Sequence, residues 1–327
     1  MDVNPSLRFK YRDIEAVHVS AFEYEMARWL PFRDKKVCEK VRKISKEDFC
    51  KHPNPNFKIR VVPDSEFLFR LVWDMFWRIK EAADEGRELV LILPQPHPEY
   101  RLVADLINKF RVSCKKLYTF NMDEYANEKG HTPPEDWPWS FRRAQLVNFY
   151  MKLREDLRPP IDHILSPTHE NIDKYGEMIE ELGGADVCYA PIGWDGHVAF
   201  IEPDQFEAPS LEEWKKLGPR IVELSPITIL QNSLFPEFGS AGDWSIVPPK
   251  AATIGPEQIV KSRLICSWNG YFAGAGFANW QRFIIRLVAH GPVTPKVPAS
   301  ILQTLNTEFV VSESLVENIV LKPDLEV

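Results

Sequence analysis

Short apolar runs alternate with amphipathic segments along most of the chain, starting near residue 57. The run Leu89–Leu93 is apolar throughout, as expected for a strand that a parallel sheet buries on both faces. Just before it, Phe67, Leu71, Met75 and Ile79 recur at helical spacing and predict a helix with one buried face. This alternation predicts an α/β protein with a doubly wound, mainly parallel sheet and helices on both faces, as in Rossmann-like folds.

The remaining predicted elements continue the alternation. Further strands are predicted over 59–62, 114–120, 161–165, 186–190, 221–224, 262–267 and 309–311, and further helices over 99–110, 140–157, 170–182 and 280–289. Residues 252–255 are predicted to begin a turn. Residues 1–57 are polar and mixed, with a predicted helix over 15–30. We therefore expect an N-terminal helical arm or cover, followed by a single α/β domain over 58–327.

Composition narrows the class of function. The 327 residues carry a net charge of −7, with 44% hydrophobic and 27% charged residues, which is typical of a soluble globular protein. The sequence lacks the basic stripe that nucleic-acid binding requires. It also lacks a membrane-spanning run and a signal-peptide pattern. The five cysteines include no CxxC pair, so we expect buried thiols, no metal, no cofactor and a cytoplasmic location.

One stretch concentrates candidate chemistry directly after the predicted strand 186–190. Its two glycines, Gly193 and Gly196, allow a sharp turn and a close approach to a ligand. Between and after them stand Asp195, His197 and Glu202. A histidine titrates near neutral pH, and neighbouring carboxylates can fix its tautomer and raise its pKa. A capped turn with surface charges is the alternative interpretation of the spacing.

A second candidate lies where another predicted strand ends, at Asp123. In doubly wound sheets, ligands bind at the carboxyl ends of the strands. Both Asp123 and the stretch around His197 lie at such ends, which favours a functional role over a helix cap for Asp123. We expect the carboxyl groups of Asp195 and Glu202 to lie near the His197 ring, in one pocket with Asp123.

Three segments together resemble a known family. Leu117–Tyr125, with its Asn-Met-Asp-Glu-Tyr turn, resembles a signature of the glucosamine-6-phosphate deaminase/isomerase enzymes. Gly193–Pro203 resembles that family's Gly-Asn-Asp-Gly-His-Ile-Ala-Phe-Asn-Glu-Pro signature, and Pro249–Gly255 is a weaker third match. The resemblance covers roughly residues 58 to 320. The related sugar-lactone hydrolases share the fold but lack the Asn-Met-Asp-Glu-Tyr turn.

The resemblance implies an aldose–ketose isomerase, with deamination as one form of the reaction, acting on a small sugar or sugar-like molecule. It implies that Asp123 is the general base that moves a proton between the first two sugar carbons through an enediol-type intermediate. It implies that His197 opens the sugar ring and that Asp195 and Glu202 orient and polarise it. No nucleic-acid or membrane partner is expected. Whether the chain forms a homo-oligomer is left open.

The sequence departs from the family at its phosphate contacts. The family's glycine- and hydroxyl-rich loop is here Leu93–Pro98, whose prolines remove backbone donors. Leu234 stands where the family has an arginine, Asn269 where it has a lysine, and Trp194 where it has an asparagine. A substrate without a 6-phosphate is therefore favoured, unless Arg142 or Arg143 compensates. The predicted substrate-binding residues are Gln95, His97, Glu124, Gly193, Trp194, Trp268 and Asn269.

Two alternatives remain open at this point. The chain could be a conventional glucosamine-6-phosphate deaminase that holds phosphate in another way. It could also be a non-catalytic sugar-binding or sensing protein of the same fold, although such a protein has no need of a base at Asp123. Trp194 and Trp268 also have two interpretations: each is either an aromatic residue of the core or part of the wall of the site.

Overall fold

A central parallel sheet organises the computed structural model, which describes residues 23–94, 99–270 and 281–321. The strands in the described residues are β1 (Phe57–Val62), β2 (Leu89–Leu93), β3 (Leu117–Asn121), β4 (Asp123–Ala126), β5 (Ile164–Leu165), β6 (Val187–Tyr189), β7 (Arg220–Glu223), β8 (Lys250–Thr253), β9 (Leu264–Asn269) and β10 (Thr307–Ser312). Seven of them form the main sheet in the order β1-β10-β9-β6-β2-β3-β5, and every pair in it is parallel. The predicted fold class is confirmed.

Helices cover both faces of this sheet. They are α1 (Lys35–Arg42), α2 (Lys46–Phe49), α3 (Asp64–Asp84), α4 (Tyr100–Phe110), α5 (Phe141–Asn148), α6 (Ile172–Glu181), α7 (Leu211–Trp214), α8 (Pro226–Asn232), α9 (Pro256–Lys261), α10 (Gln281–His290) and α11 (Glu313–Val316). Short 3-10 helices lie at Tyr150–Lys152, Glu155–Leu157, Ile161–His163, Pro236–Phe238, Trp244–Ile246 and Pro298–Thr304. Apolar side chains form one core under α3 and α4 and another under α6, α9 and α10, because the strands are apolar on both faces.

A small antiparallel sheet, in the order β4-β8-β7, differs from the prediction. The strand expected at 221–224 lies in this sheet, and the turn expected at 252–255 begins inside β8. β8 contains mostly small residues and lacks the apolar alternation that marks a strand in sequence. It pairs with β4, so that Asp123 lies opposite Thr253. This pairing fixes the backbone of the predicted general base.

The described part of the N-terminal segment packs on α10. Val41 and Phe49 are fully buried in the main core. The guanidinium of the buried Arg286 donates to the carbonyl of Ile44 at 3.0 Å and to that of Val316 at 2.8 Å. These contacts join both ends of the described chain. Residues 23–30 are not helical, and the rest of the helix predicted over 15–30 lies outside the described residues.

Two other expectations can be compared with the structure. The helix predicted over 140–157 ends at Asn148, because Phe149 leaves the helical conformation and its ring enters the core under α4. The thiols of Cys114, Cys188 and Cys266 are buried and free, as predicted. Among the described residues, no helix has the length and apolar character that crossing a membrane requires.

Candidate active site

The loop over 190–203, which follows the central strand β6, forms the floor of the site. The amide of Asn269, at the end of β9, accepts a hydrogen bond from the Ile192 N–H at 3.0 Å and anchors the loop to the sheet. Gly193 N–H then donates to the His197 carbonyl at 2.9 Å, and Gly196 adopts the left-handed conformation at φ 89°. The loop therefore turns back on itself over five residues, and its polar side chains project from one tight turn.

Gly193 is required because the His197 ring lies against its α-carbon. A β-carbon at this position would lie 2.1 Å from both Cε1 and Nε2 of the imidazole. Real atoms do not approach so closely, so the ring and a side chain at residue 193 exclude each other. The expected substrate-binding role of Gly193 is thus joined by a steric role in placing His197.

We expect Gly193→Ala to lower kcat by about 100-fold or more, because a displacement of a catalytic group by about 1 Å has effects of this size. Folding should be preserved, since the loop can move the ring. Steady-state kinetics and thermal unfolding measure the two properties. Gly218→Ala is a control at a glycine without a left-handed backbone, where the added carbon meets only Glu257 Oε2 at 3.8 Å. Equal activity in Gly193→Ala and the wild type would contradict the steric argument.

His197 is held by a carboxylate on one ring nitrogen. Its Nδ1 lies 2.6 Å from Asp195 Oδ1, which also accepts the His197 backbone N–H at 3.0 Å. Asp195 Oδ2 accepts the Ser225 hydroxyl at 3.2 Å, and Thr228 Oγ1 lies 3.1 Å from Nδ1. An ionised carboxylate only accepts, so the proton is assigned to Nδ1. Nε2 is then the ring nitrogen that can exchange a proton with a substrate.

Glu202 completes this group from the end of the loop. Only 2% of its surface is exposed, and Oε1 accepts the Ser225 N–H at 3.2 Å. Oε2 is buried and has no hydrogen-bond partner among the described residues. Burial raises the pKa of this carboxyl to about 6, because the charged form loses its hydration. Glu202 therefore places a second, loosely held negative charge beside the histidine.

Asp123 approaches the same loop from β4. Its Oδ1 accepts the Phe200 N–H at 2.9 Å, and the same N–H lies 3.1 Å from the Thr253 hydroxyl. The preceding residue, Ala199, has φ 52°, a left-handed conformation that a non-glycine residue adopts only under constraint. Burial raises the pKa of Asp123 to about 7, although the Thr253 hydroxyl opposes this shift. A carboxylate with such a pKa is suited to general base catalysis near neutral pH.

The charges of the site hold the histidine protonated. Burial lowers the pKa of His197, but the charge and hydrogen bond of Asp195 outweigh it and raise the pKa to about 9, with smaller contributions from Glu202 and Asp123. Burial would raise the pKa of Asp195, but the His197 charge and hydrogen bonds hold it below its usual range. At neutral pH the site thus contains an imidazolium acid and a base at Asp123.

The chain is similar in sequence to several known enzymes. A glucosamine-6-phosphate deaminase of Caenorhabditis elegans is 34% identical over 206 residues, which cover 61% of this chain and 69% of that protein. Glucosamine-6-phosphate deaminase 2 of Bacillus subtilis is 30% identical over 245 residues, which cover 72% of this chain and 87% of that protein. The chain belongs to the glucosamine-6-phosphate deaminase family. Membership of this family of enzymes confirms the resemblance predicted from the motifs. No family model matches the chain.

Solved structures support the fold of this deaminase-family chain. A monomeric glucosamine-6-phosphate deaminase superposes with a TM-score of 0.64 at 21% identity, covering 79% of this chain and 98% of that one. The 6-phosphogluconolactonase of Leishmania guyanensis superposes with a TM-score of 0.56 at 12% identity, covering 81% and 99%. At these identities the likeness concerns the fold alone.

Two predicted binding residues have structural contacts in this family member. Both oxygens of the buried Glu124 accept hydrogen bonds at the start of α5, from Ser140 Oγ at 2.8 Å and from the Phe141 N–H at 3.1 Å, among others. Glu124 thus fixes the N-terminus of α5, a structural contact that the sequence did not predict. Asn269 also has structural contacts, because its side-chain amide donates to Ser267 in addition to holding Ile192.

The predicted aromatic and loop residues have different outcomes. Trp268 lies in the core under α3, where its ring contacts Phe67 edge-on at 5.6 Å between centroids, so the structure favours the core alternative. Trp194 is partly exposed on the loop, and its backbone N–H donates to Gln231 Oε1 at 2.8 Å. Gln95 and His97 lie outside the described residues.

Three hydroxyl residues of the site were not predicted: Ser225 and Thr228 at the start of α8, and Thr253 on β8. Two local signals exist: Thr253 lies within the weaker family match Pro249–Gly255, and Ser225 caps α8 by accepting the Thr228 N–H. The ligand atoms of Asp195, His197 and Glu202 lie within 4.8 Å of one another. Geometry alone would admit a cation there, but Asp195 and His197 already satisfy each other.

Proposed function

We propose that the chain catalyses the aldose–ketose isomerisation of a sugar and releases ammonia when the substrate carries a 2-amino group. The observation that carries this proposal is the buried Asp123 beside the Asp195–His197–Glu202 group, which lies on one loop at the carboxyl ends of the strands. A base and an acid with opposite pKa shifts are what proton transfer between two carbons requires.

The steps follow from these two groups. His197 donates its Nε2 proton to the ring oxygen as the bond between that oxygen and C1 breaks, and it takes up the C1 hydroxyl proton in return, which leaves an open-chain aldehyde. Asp123 then removes the proton on C2 while His197 protonates the aldehyde oxygen, which forms an enediol, or an enolamine from an amino sugar. Asp123 returns its proton to C1, and in a neutral sugar the C2 hydroxyl gives its proton back to His197. In an amino sugar the product is a C2 imine, and water hydrolyses it to the ketose and ammonia.

The names of the relatives favour glucosamine 6-phosphate as the substrate, whereas the described residues favour a substrate without phosphate. Leu234, at the family's arginine position, is apolar and exposed. Arg142 is committed elsewhere, because its guanidinium donates to the Ile164 carbonyl at 2.6 Å and pairs with Glu135. Apart from His197 with Asp195, no ion pair among the described residues reaches the site carboxylates. We therefore favour a neutral or differently charged tail.

Exchange in deuterated water tests the proposal directly. The protein is incubated with glucosamine, glucosamine 6-phosphate and neutral aldoses, and proton NMR follows loss of the C2 proton signal and appearance of the ketose. Enzyme-dependent exchange with one of these sugars is expected. Thermal stabilisation by a sugar without exchange in any of them would support the non-catalytic sensing protein instead.

The pH dependence should be bell-shaped. Activity requires ionised Asp123, so kcat/KM should rise as pH passes about 7, and it requires protonated His197, so kcat/KM should fall as pH passes about 9. Thr253→Val removes the hydroxyl that lowers the pKa of Asp123, which should move the acid limb to higher pH. Thr307→Val, which removes a buried hydroxyl on β10 that donates to Leu302, is the matched control. An unchanged acid limb in Thr253→Val would remove Asp123 from this titration.

A further inference from the structure

Helix α3 carries an exposed aromatic stripe that the proposed function does not use. Phe69, Trp73 and Trp77 lie one turn apart, and 66%, 40% and 50% of their surfaces are exposed. Their rings stack in sequence, with centroids 6.2 Å and 6.0 Å apart and planes inclined by 18° and 22°. A contiguous exposed apolar patch on a protein surface usually marks an interaction site.

A charge closes each end of this stripe. Glu66 lies one turn before Phe69, and Lys80 lies one turn after Trp77. At 3.6 residues per turn, these two residues and the three rings fall within about 80° of the helix circumference. Each charge is paired within α3, Glu66 with Arg70 at 2.6 Å and Lys80 with Asp84. The order along one face is therefore acid, three aromatic rings, base.

We propose that this stripe is the interface of a symmetric homodimer in which the two copies of α3 pack antiparallel. A two-fold axis requires that whenever residue i contacts residue j, residue j contacts residue i. With the axis at Trp73, each Trp73 meets its copy and Phe69 lies opposite Trp77, because both are four residues from the axis. Glu66 lies opposite Lys80, because both are seven residues from it. The pattern is self-complementary in both shape and charge.

The exposed area is compatible with this pairing. An aromatic side chain buries about 150–250 Å². Since about half of each ring is exposed, the six rings of two copies contribute about 600 Å². Phe110 of α4 is also half-exposed and extends the patch, because its ring lies 5.4 Å from that of Phe76, beside Trp73. With the flanking charged side chains, the contact approaches the roughly 1,000 Å² of a specific interface. The proposal does not depend on the proposed catalytic function.

Light scattering and analytical ultracentrifugation of the full chain test the dimer. The wild type should have the mass of two chains at micromolar concentration. Trp73→Glu, which places two carboxylates on the axis, should raise the dissociation constant about 100-fold or more. Trp244→Glu is the matched control, because Trp244 is 65% exposed and lies outside α3. It should leave the dimer intact.

Charge reversal tests the antiparallel register. Glu66→Lys places two lysines opposite each other at both ends of the interface, because residue 66 of each copy faces residue 80 of the other. Lys80→Glu places two glutamates there in the same way. Each single variant should therefore weaken the dimer about tenfold. The double variant restores opposite charges and should recover the dimer, with circular dichroism reporting that α3 stays helical. A wild type that is monomeric would overturn the proposal. This holds whether residues 1–22 or another protein covers the stripe instead. A dimer that survives Trp73→Glu, or an unrescued double variant with intact helicity, would also overturn it.

Discussion

Replacing Asp123 with asparagine is expected to slow proton exchange at the sugar carbon by about 10²–10⁴-fold, the usual effect of losing a general base. The asparagine oxygen can still accept the Phe200 N–H, which Asp123 accepts at 2.9 Å, so the strained turn at Ala199 should persist. The amide cannot take a proton from carbon. Binding of the sugar should therefore change little while its chemistry is lost.

Stability gives this prediction a second, independent readout. Burial raises the pKa of Asp123 to about 7 in the folded chain, whereas it is about 3.9 when unfolded. A raised pKa means that the folded state is favoured below pH 4 and loses this advantage as pH rises to about 7, at a total of a few kcal/mol. The substituted asparagine carries no charge, so Asp123→Asn should match or exceed the wild-type unfolding temperature at pH 8.

Deuterium incorporation and thermal unfolding measure both effects. Asp186→Asn is a suitable control, because Asp186 also accepts a backbone N–H, that of Val90 at 2.9 Å, but lies at the opposite ends of the strands. The control should keep normal exchange. Undiminished exchange in Asp123→Asn would exclude Asp123 as the base, and loss of folding would show that its charge serves structure instead.

The parts of this site that could be predicted are those that the chain brings together locally or by a general rule. Asp195, His197 and Glu202 lie within eight residues, so their meeting needs only the turn at the two glycines. Asp123 is distant in sequence, but parallel strands end at one edge of a sheet. Its contact with the loop over 190–203 follows from that rule.

The rest depends on contacts that have no sequence signature. Thr253 lies in the matched segment Pro249–Gly255, but it reaches the site only because β8 pairs antiparallel with β4, and the small residues of β8 do not predict a strand. Thr228 lies 31 positions from His197, and buried threonines are common. Glu124 follows Asp123 in a motif and would be assigned to the ligand, but its oxygens bind the start of α5, 16 to 18 residues later.

Burial on α3 could also be predicted only in part. Met75 and Ile79 are buried as the helical spacing predicted, and Phe67 and Leu71 are half-buried. The spacing identifies a buried face but cannot identify Trp73 as exposed, because a tryptophan beside that face would be expected to join it. The way in which α3 packs on α4 decides that Trp73 is exposed.

Glucosamine 6-phosphate is expected to be a poor substrate. A phosphate dianion needs charge-assisted donors, and each such hydrogen bond contributes about 1.5–3 kcal/mol. Leu234 cannot donate, and the Asn269 amide is occupied by Ile192 and Ser267. Loss of two contacts should weaken recognition of the phosphate by two to four orders of magnitude, since about 1.4 kcal/mol is tenfold. In a coupled assay, kcat/KM for glucosamine 6-phosphate should not exceed that for an unphosphorylated sugar.

A gain-of-function variant makes this expectation sharper. Leu234→Arg returns one guanidinium to the family position and should raise kcat/KM for glucosamine 6-phosphate by about 10-fold to 100-fold, with little change for a neutral sugar. Leu230→Arg, in an exposed leucine one turn earlier on α8, is the matched control for a general effect of added positive charge. If the wild type already reaches about 10⁴ M⁻¹s⁻¹ with glucosamine 6-phosphate, within the usual range for enzymes, the phosphate is bound by other groups and the chain is a conventional deaminase.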